Sequence, residues 1–211
     1  MKIISHRGYW EKADEKNSLS SFERSFRSGF GTETDIRDFC GTLVISHDIA
    51  DESCITVRQF LDLYSSFLTR LPLALNIKAD GLQFKLCELL KEYEITNYFV
   101  FDMSIPDTLG YIRSGLNFFS RQSEYEPTPA FYKEASGVWM DCFHDDWIQE
   151  ADIEQHLTTG KQICLVSPEL HKREYGYYWE YLSRMKSVAS EQIMLCSDFP
   201  EEAREFFYGK N

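Results

Sequence analysis

Positive charge is scarce in this 211-residue sequence. Lys and Arg number 22 against 34 Asp and Glu, which gives a formal net charge of −12. A basic face for nucleic acid is therefore not expected, and an anionic membrane surface is a poor partner. An anionic substrate still fits if a bound cation makes its site locally positive.

Long apolar runs, paired cysteines and phosphate-binding glycine loops are also missing. No apolar run approaches the about 18 residues of a transmembrane helix, so no membrane span is expected. Residues 1–4 lead directly into polar residues and predict no signal peptide. No G-x-G-x-x-G or Walker-type loop follows a predicted strand, which argues against nucleotide binding of those kinds. The cysteines form no C-x-x-C pair and favour isolated thiols in a reduced, cytoplasmic compartment; they are Cys40, Cys54, Cys87, Cys142, Cys164 and Cys196.

Short apolar runs alternate with helical patterns along the whole chain. Strands are predicted at residues 2–5, 32–36, 73–77, 98–101, 117–121, 137–140, 162–166 and 193–196, with 42–46 as a loop extension of the second. Helices are predicted after each strand, including a short one at 129–133 and a long one at 170–187. Eight strand–helix units in about 210 residues predict a compact α/β (β/α)₈ TIM barrel, one domain over residues 1–211 without an inserted domain. An open doubly wound sheet is the alternative architecture.

Side chains suited to acid–base and metal chemistry follow the ends of the first predicted strands. The catalytic groups of such a barrel lie at the carboxyl ends of its strands, so these positions are where a site is expected. Seven residues meet that description: His6, Arg7, Glu33, Asp35, His47, Asn76 and Lys78.

The carboxylates suggest a cation site. Glu33 and Asp35 are two apart on a strand, so their side chains point the same way. With a carbonyl oxygen from Asn76 they offer the oxygen ligands that Mg²⁺ or Ca²⁺ prefers. Arg7 and Lys78 would then flank a bound anion.

Two histidines could transfer protons at such a site. His6 and His47 have the side chain whose unperturbed pKa, near 6.5, suits general acid and base catalysis. Arg121, Trp139 and Glu169 are predicted to bind substrate, although the sequence favours a core aromatic role over a stacking role for Trp139. Residues at or beyond the ends of the later strands that could build specificity are Asp102, Arg121, Glu124, Trp139, Asp141, Glu169 and His171.

The order of these motifs resembles a known family. His6-Arg7-Gly8, Asn17-Ser18, Glu33-x-Asp35 and His47-Asp48 are similar to the N-terminal signature of glycerophosphodiester phosphodiesterases, and residues 196–200 resemble that family's closing strand and Asp-x-Pro. The resemblance implies a TIM barrel that uses a divalent cation. It also implies His6 and His47 as the acid–base pair, Glu33 and Asp35 as metal ligands, and Arg7 as a phosphate contact.

The sequence departs from the family pattern in ways that leave two functions open. Lys16 and Asn76 stand where the family usually has acidic residues, and the usual insertion after the His47-Asp48 loop is absent. The first hypothesis is a metal-dependent hydrolase that cleaves a small phosphodiester, such as a lipid, a glycerophosphodiester or a phosphodiester-linked glycan. The alternative is a barrel that binds a phosphodiester or phosphosugar without cleaving it. The sequence predicts no oligomeric state.

Overall fold

The computed structural model describes residues 1–209, which contain nine strands and seven α-helices. The strands are β1 Lys2–His6, β2 Gly31–Phe39, β3 Thr42–Ile45, β4 Leu73–Ile77, β5 Tyr98–Phe101, β6 Phe119–Gln122, β7 Gly137–Met140, β8 Gln162–Val166 and β9 Ile193–Ser197. The helices are α1 Leu19–Arg27, α2 Val57–Ser65, α3 Gln83–Glu92, α4 Ile105–Arg113, α5 Glu150–Thr158, α6 Gly176–Ser183 and α7 Pro200–Tyr208. None of the helices in these 209 residues is long and apolar enough to cross a membrane.

The chain divides into two compact units. The central unit is Arg7–Phe118, and the terminal unit is Met1–His6 together with residues 119–209. Eight of the nine strands run parallel to a neighbour within their own unit. Parallel pairing of this kind is what the predicted α/β class requires. The expectation of a single domain stays a prediction.

In the central unit, β4 pairs in parallel with β2 on one side and β5 on the other. All five residues of β4 are buried, as expected for a parallel strand covered on both faces. An aromatic cluster joins α1 to α2, with the rings of Phe22 and Phe60 4.7 Å apart between centroids. The Ser18 hydroxyl caps α1 by accepting the Ser21 N–H at 3.2 Å, so the helix begins where the sequence pattern predicts.

The terminal unit contains five parallel strands in the order β1-β9-β8-β7-β6. Its core is filled by apolar residues of β8 and β9 and by Tyr178, Trp179 and Leu182 of α6. The indole of Trp179 also packs near Tyr175, with ring centroids 4.5 Å apart. Tyr178 and Trp179 of this aromatic segment therefore serve as packing groups, whereas Tyr177 is 79% exposed.

Three predicted elements differ from the structure. Residues 42–46 are not a loop extension, because β3 pairs antiparallel with β2. Residues 129–133 form turns instead of a helix, since Phe131 in the middle of the segment adopts a left-handed φ of 52°. The predicted helix at 170–187 is shorter: a 3₁₀ turn, Pro168–His171, ends at Lys172 with φ 59°, and α6 then covers only Gly176–Ser183.

Candidate functional site

Two carboxylates lie side by side in the central unit. Glu33 and Asp35 on β2 are 1% and 0% exposed, and the register of β2 with β4 places Asp35 opposite Asn76. Because Glu33 and Asp35 are two residues apart on a strand, both point to the same face as their partners on β4. The structure thus brings together the three predicted metal ligands.

Two cations and an amide surround Asp35. Arg7 Nε lies 2.9 Å from Asp35 Oδ2, and Lys78 Nζ lies 3.4 Å from Asp35 Oδ1. Asn17 Nδ2 donates to Asp35 Oδ2 at 2.8 Å, while Asn17 Oδ1 accepts from Thr34 Oγ1 at 2.9 Å. Opposite charges offset part of the cost of burying this carboxylate. In the sequence, Asn17 stands out only as part of the Asn17-Ser18 motif. In the structure, the Asn17 amide helps to hold the Asp35 carboxylate in position.

The backbone that positions Arg7 is strained. Arg7 and Asn17 have left-handed φ values of 57° and 60°, and Asn17 N–H donates to the Arg7 carbonyl at 2.9 Å. Gly8 follows with φ 85°, and a Cβ there would lie 2.3 Å from Ser21 Oγ. Non-glycine residues in this region cost free energy and tend to occur at functional sites. The His6-Arg7-Gly8 motif is therefore explained by a turn that brings the Arg7 side chain to Asp35.

Burial and the neighbouring charge of Asp35 raise the pKa of Glu33 to about 8, against opposing effects of Arg7, Lys78 and a hydrogen bond from Asn76. The Asn76 Oδ1 atom is buried and accepts no hydrogen bond from residues 1–209. An unpartnered carbonyl oxygen beside two carboxylates is a donor set for a hard cation, whose charge would offset their repulsion. No cluster of three or more His, Cys, Asp and Glu in a metal-binding arrangement occurs in the described part of the chain.

The raised pKa of Glu33 predicts how stability depends on pH. Between pH 4.5 and about 8 the native chain keeps a proton on Glu33 that the unfolded chain has released, so the free energy of unfolding falls as pH rises through this window. Urea unfolding in EDTA, at about pH 5 and about pH 8.5, should show this loss, and Glu33→Gln should reduce it by a few kcal/mol. The control is Glu23→Gln, because the Glu23 side chain is 42% exposed on the surface of α1. An equal pH slope in Glu33→Gln and the parent chain would contradict the assigned ionisation.

His47 is also in the central unit, on the antiparallel return of the chain. The register of β2 with β3 pairs Ile36 with Ile45, and Ser46 N–H donates to the Asp35 carbonyl at 3.0 Å. This hydrogen bond holds Ser46, the residue before His47, beside the Asp35 backbone. Its Nδ1 lies 2.9 Å from Asp48 Oδ1, and its side chain is 45% exposed.

His6 lies in the terminal unit at the end of β1. Its Nδ1 is 2.6 Å from Asp198 Oδ1, and the two side chains are 12% and 11% exposed. Asp198 follows β9, and its backbone N–H donates to Glu169 Oε1 at 3.1 Å. Ser197 also donates to Glu169 Oε1, at 2.5 Å, so Glu169 fixes the segment that carries Asp198. In the sequence, Asp198 is marked only by the Asp-x-Pro resemblance of residues 198–200, which predicts no role for it.

The other predicted substrate-binding residues are also placed in the terminal unit. Trp139 on β7 is 4% exposed and stands in register with Arg121 on β6. Arg121 forms an ion pair with Glu126, and its guanidinium lies 5.9 Å from the ring centroid of Phe143. Their roles in binding stay predictions.

Comparison with solved structures identifies the fold. A protein of Galdieria sulphuraria named as a glycerophosphodiester phosphodiesterase matches with a TM-score of 0.78 and 17% identity, over 98% of this chain and 97% of the other. This chain therefore has the fold of the glycerophosphodiester phosphodiesterases. The enzyme of this name from Parabacteroides distasonis matches with a TM-score of 0.69 and 13% identity, over 97% and 85%. Both the predicted (β/α)₈ barrel and the resemblance to this family are thereby confirmed at the level of fold.

The fold alone does not decide the activity. The α subunit of tryptophan synthase from Campylobacter jejuni also matches, with a TM-score of 0.55 and 12% identity over 96% of this chain and 89% of the other. No known protein-family profile matches the sequence, and no curated protein is significantly similar to it. Because one barrel supports many reactions, the function must be argued from the side chains.

Proposed function

We propose that this chain hydrolyses a phosphodiester bond in a small molecule, in the manner of glycerophosphodiester phosphodiesterases. The observation that carries the proposal is the buried pair Glu33 and Asp35 beside Arg7 and Lys78. Burying two adjacent carboxylates costs several kcal/mol and raises the pKa of one of them, which a purely structural role would not require. Such a cluster suits the binding of a cation together with an anionic substrate.

The ligand set proposed for a divalent cation, Mg²⁺ or Ca²⁺, is Glu33, Asp35 and the unpartnered Asn76 Oδ1. When bound, the ion would supply Lewis-acid polarisation of the phosphate and offset developing charge. Arg7 and Lys78 would bind phosphate oxygens, because both cations lie beside Asp35 with side chains that are 21% exposed.

His6 and His47 are proposed to move the protons. One imidazole takes a proton from the attacking water as its oxygen bonds to phosphorus. The other gives a proton to the alcohol oxygen as its bond to phosphorus breaks. Each Nδ1 contacts a carboxylate, Asp198 or Asp48, so Nε2 is the atom proposed to exchange the proton. The products are a phosphomonoester and an alcohol, or a cyclic phosphate if a neighbouring hydroxyl of the substrate attacks in place of water.

Three residues of the terminal unit complete the proposal. Arg121 and Trp139 are proposed to contact the substrate outside the phosphate. Glu169 accepts hydrogen bonds from Ser167, Ser197 and the Asp198 N–H, so we propose that it supports binding by holding Asp198 in place. Burial raises the pKa of Glu169, whereas these hydrogen bonds lower it.

The neutral ligand Asn76 favours the second candidate function, binding without cleavage. Asn76→Glu tests it, with Asn76→Gln as a control that has the length of Glu without its charge. We expect the Glu variant to bind Mg²⁺ and Ca²⁺ at least about tenfold more tightly in titration calorimetry, because a charged oxygen replaces a neutral one. Unchanged affinity would remove Asn76 from the ligand set.

Turnover of the same variants separates the two candidate functions. Similar cleavage of a phosphodiester by the parent chain and Asn76→Glu means that the amide suffices as a ligand, as the proposal requires. An inactive parent chain that gains activity only through Asn76→Glu would support the binding function instead.

A further inference from the structure

The loop after β7 in the terminal unit is unusually well anchored. The Glu124 carboxylate accepts three consecutive backbone N–H groups, at residues 143–145, with distances of 2.9 to 3.1 Å. At the start of the loop, Trp147 Nε1 donates to the Asp141 carbonyl at 2.8 Å, and Asp141 N–H donates to the Gln122 carbonyl at 2.9 Å. A loop held this firmly presents its side chains in a fixed geometry, which is what a binding site needs.

That loop begins with a mostly buried carboxylate that contacts His171 through one of its two oxygens. Asp141 is 6% exposed, and its Oδ1 lies 2.6 Å from His171 Nε2. Within residues 1–209, Asp141 Oδ2 and His171 Nδ1 form no hydrogen bond. A quarter of the His171 side chain, 24%, is exposed. This pair therefore offers an acceptor and an imidazole nitrogen to a ligand.

Aromatic and basic groups complete the surroundings. The Phe143 ring packs on His171 with centroids 4.6 Å apart, and the Arg121 guanidinium lies 5.9 Å from the Phe143 centroid. Arg121 and Trp139 are in register on β6 and β7, and Trp139 and Asp141 are two apart on one chain. Arg121, Trp139 and Asp141 thus project on the same face of the sheet.

The donors and acceptors indicate the class of ligand. A hydroxyl both donates and accepts, and so matches a carboxylate, an imidazole and a guanidinium placed together. A ring with several hydroxyls can also lay its C–H face on Phe143. A cationic head group fits less well, because the Arg121 guanidinium, which is paired with Glu126, already occupies one side of that ring.

The position in the sheet relates this group to His6. Strand β7 is three strands from β1 in the order β1-β9-β8-β7. At about 4.8 Å between strands, the path along the sheet is about 14 Å, and the straight line is shorter. One small molecule with a phosphate near His6 could therefore reach Asp141 with its alcohol.

We propose that Asp141, His171 and Phe143 form a subsite for a ring-shaped polyol, a sugar or a cyclitol, which is the alcohol of the phosphodiester. The link to cleavage rests on the proposed hydrolase function, but the binding of the polyol does not. Asp141 and His171 hydrogen-bond to neighbouring hydroxyls, and Phe143 contacts the ring.

Binding of free alcohols tests the subsite without catalysis. Saturation-transfer NMR would compare myo-inositol, glucose and choline with the parent chain, Asp141→Asn, His171→Gln and the control Asp145→Asn, an exposed residue on the same loop. We expect myo-inositol or glucose, but not choline, to bind the parent chain and Asp145→Asn equally. Affinity should fall about 10- to 100-fold in Asp141→Asn, which replaces a charged acceptor by a neutral amide, and in His171→Gln, which removes the imidazole that binds a hydroxyl. Absence of polyol binding, or binding unaffected by both variants, would overturn the subsite.

A cleavage assay separates this inference from the proposed function. Glycerophosphoinositol should be cleaved with a kcat/KM at least about tenfold above that of glycerophosphocholine, and Asp141→Asn should remove the preference. Cleavage without polyol binding or preference would refute the subsite and leave the hydrolase proposal standing. Polyol binding that Asp141→Asn abolishes, with no diester cleaved, would support the subsite and refute the hydrolase.

Discussion

Alanine at His6 or His47 is expected to lower kcat for phosphodiester cleavage by about 10²- to 10⁴-fold, the usual contribution of a general acid or base. Each imidazole has its Nδ1 beside a carboxylate, which orients the ring for proton exchange at Nε2. KM should change less, because neither imidazole is needed to hold the phosphate while Arg7 and Lys78 remain. Steady-state kinetics with saturating Mg²⁺ or Ca²⁺ measures both parameters.

The control for these variants is His144→Ala. His144 is exposed and contacts Tyr125 through its Nε2 at 2.5 Å, so its loss should leave kcat within about threefold, as for most surface changes. Turnover that persists in His6→Ala or His47→Ala, with either metal in excess, would remove that histidine from the mechanism.

The second large effect is expected at Asp198. Its Oδ1 lies 2.6 Å from His6 Nδ1 in a place where both side chains are nearly buried. Asp198→Asn keeps the shape but removes the charge that favours a proton on Nδ1, so His6 should lose its fixed tautomer. We expect kcat to fall about 10²-fold or more with little change in KM. The ¹⁵N spectrum of the imidazole should show the tautomer change directly, which a general loss of packing would not produce.

Asp48→Asn provides a matched comparison, because it alters the corresponding partner of His47. Asp48 is 92% exposed, so the ion pair is screened and its loss should cost less than about tenfold in kcat. Equal effects of Asp198→Asn and Asp48→Asn, or an unchanged ¹⁵N spectrum in Asp198→Asn, would show that Asp198 does not position His6.

The strands and the carboxylate pair were predictable because their signals are local. The apolar run of β4 predicts a buried strand from its composition and length. The two-residue spacing of Glu33 and Asp35 predicts that both side chains lie on the same face of their strand. The register of β2 with β4 then follows from parallel pairing, which brings Asn76 beside Asp35.

Contacts between distant parts of the chain could not be read from the sequence. His6 and Asp198 are 192 residues apart, and nothing in either segment specifies their pairing. Asn17 reaches Asp35 only because the loop before α1 takes a left-handed turn. The same kind of backbone conformation occurs at Phe131, where the predicted helix is absent, and at Lys172, where a 3₁₀ turn ends inside the predicted long helix.

The most direct test of the hydrolase is ³¹P NMR of the purified chain with glycerophosphoinositol, glycerophosphocholine and bis(p-nitrophenyl) phosphate, with Mg²⁺, Ca²⁺ or EDTA. The proposed mechanism predicts that at least one diester signal is replaced by a monoester or cyclic phosphate signal when metal is present, and that EDTA stops the conversion. Diesters that bind but stay intact with every metal would contradict it, and would leave a barrel that recognises phosphodiesters without cleaving them.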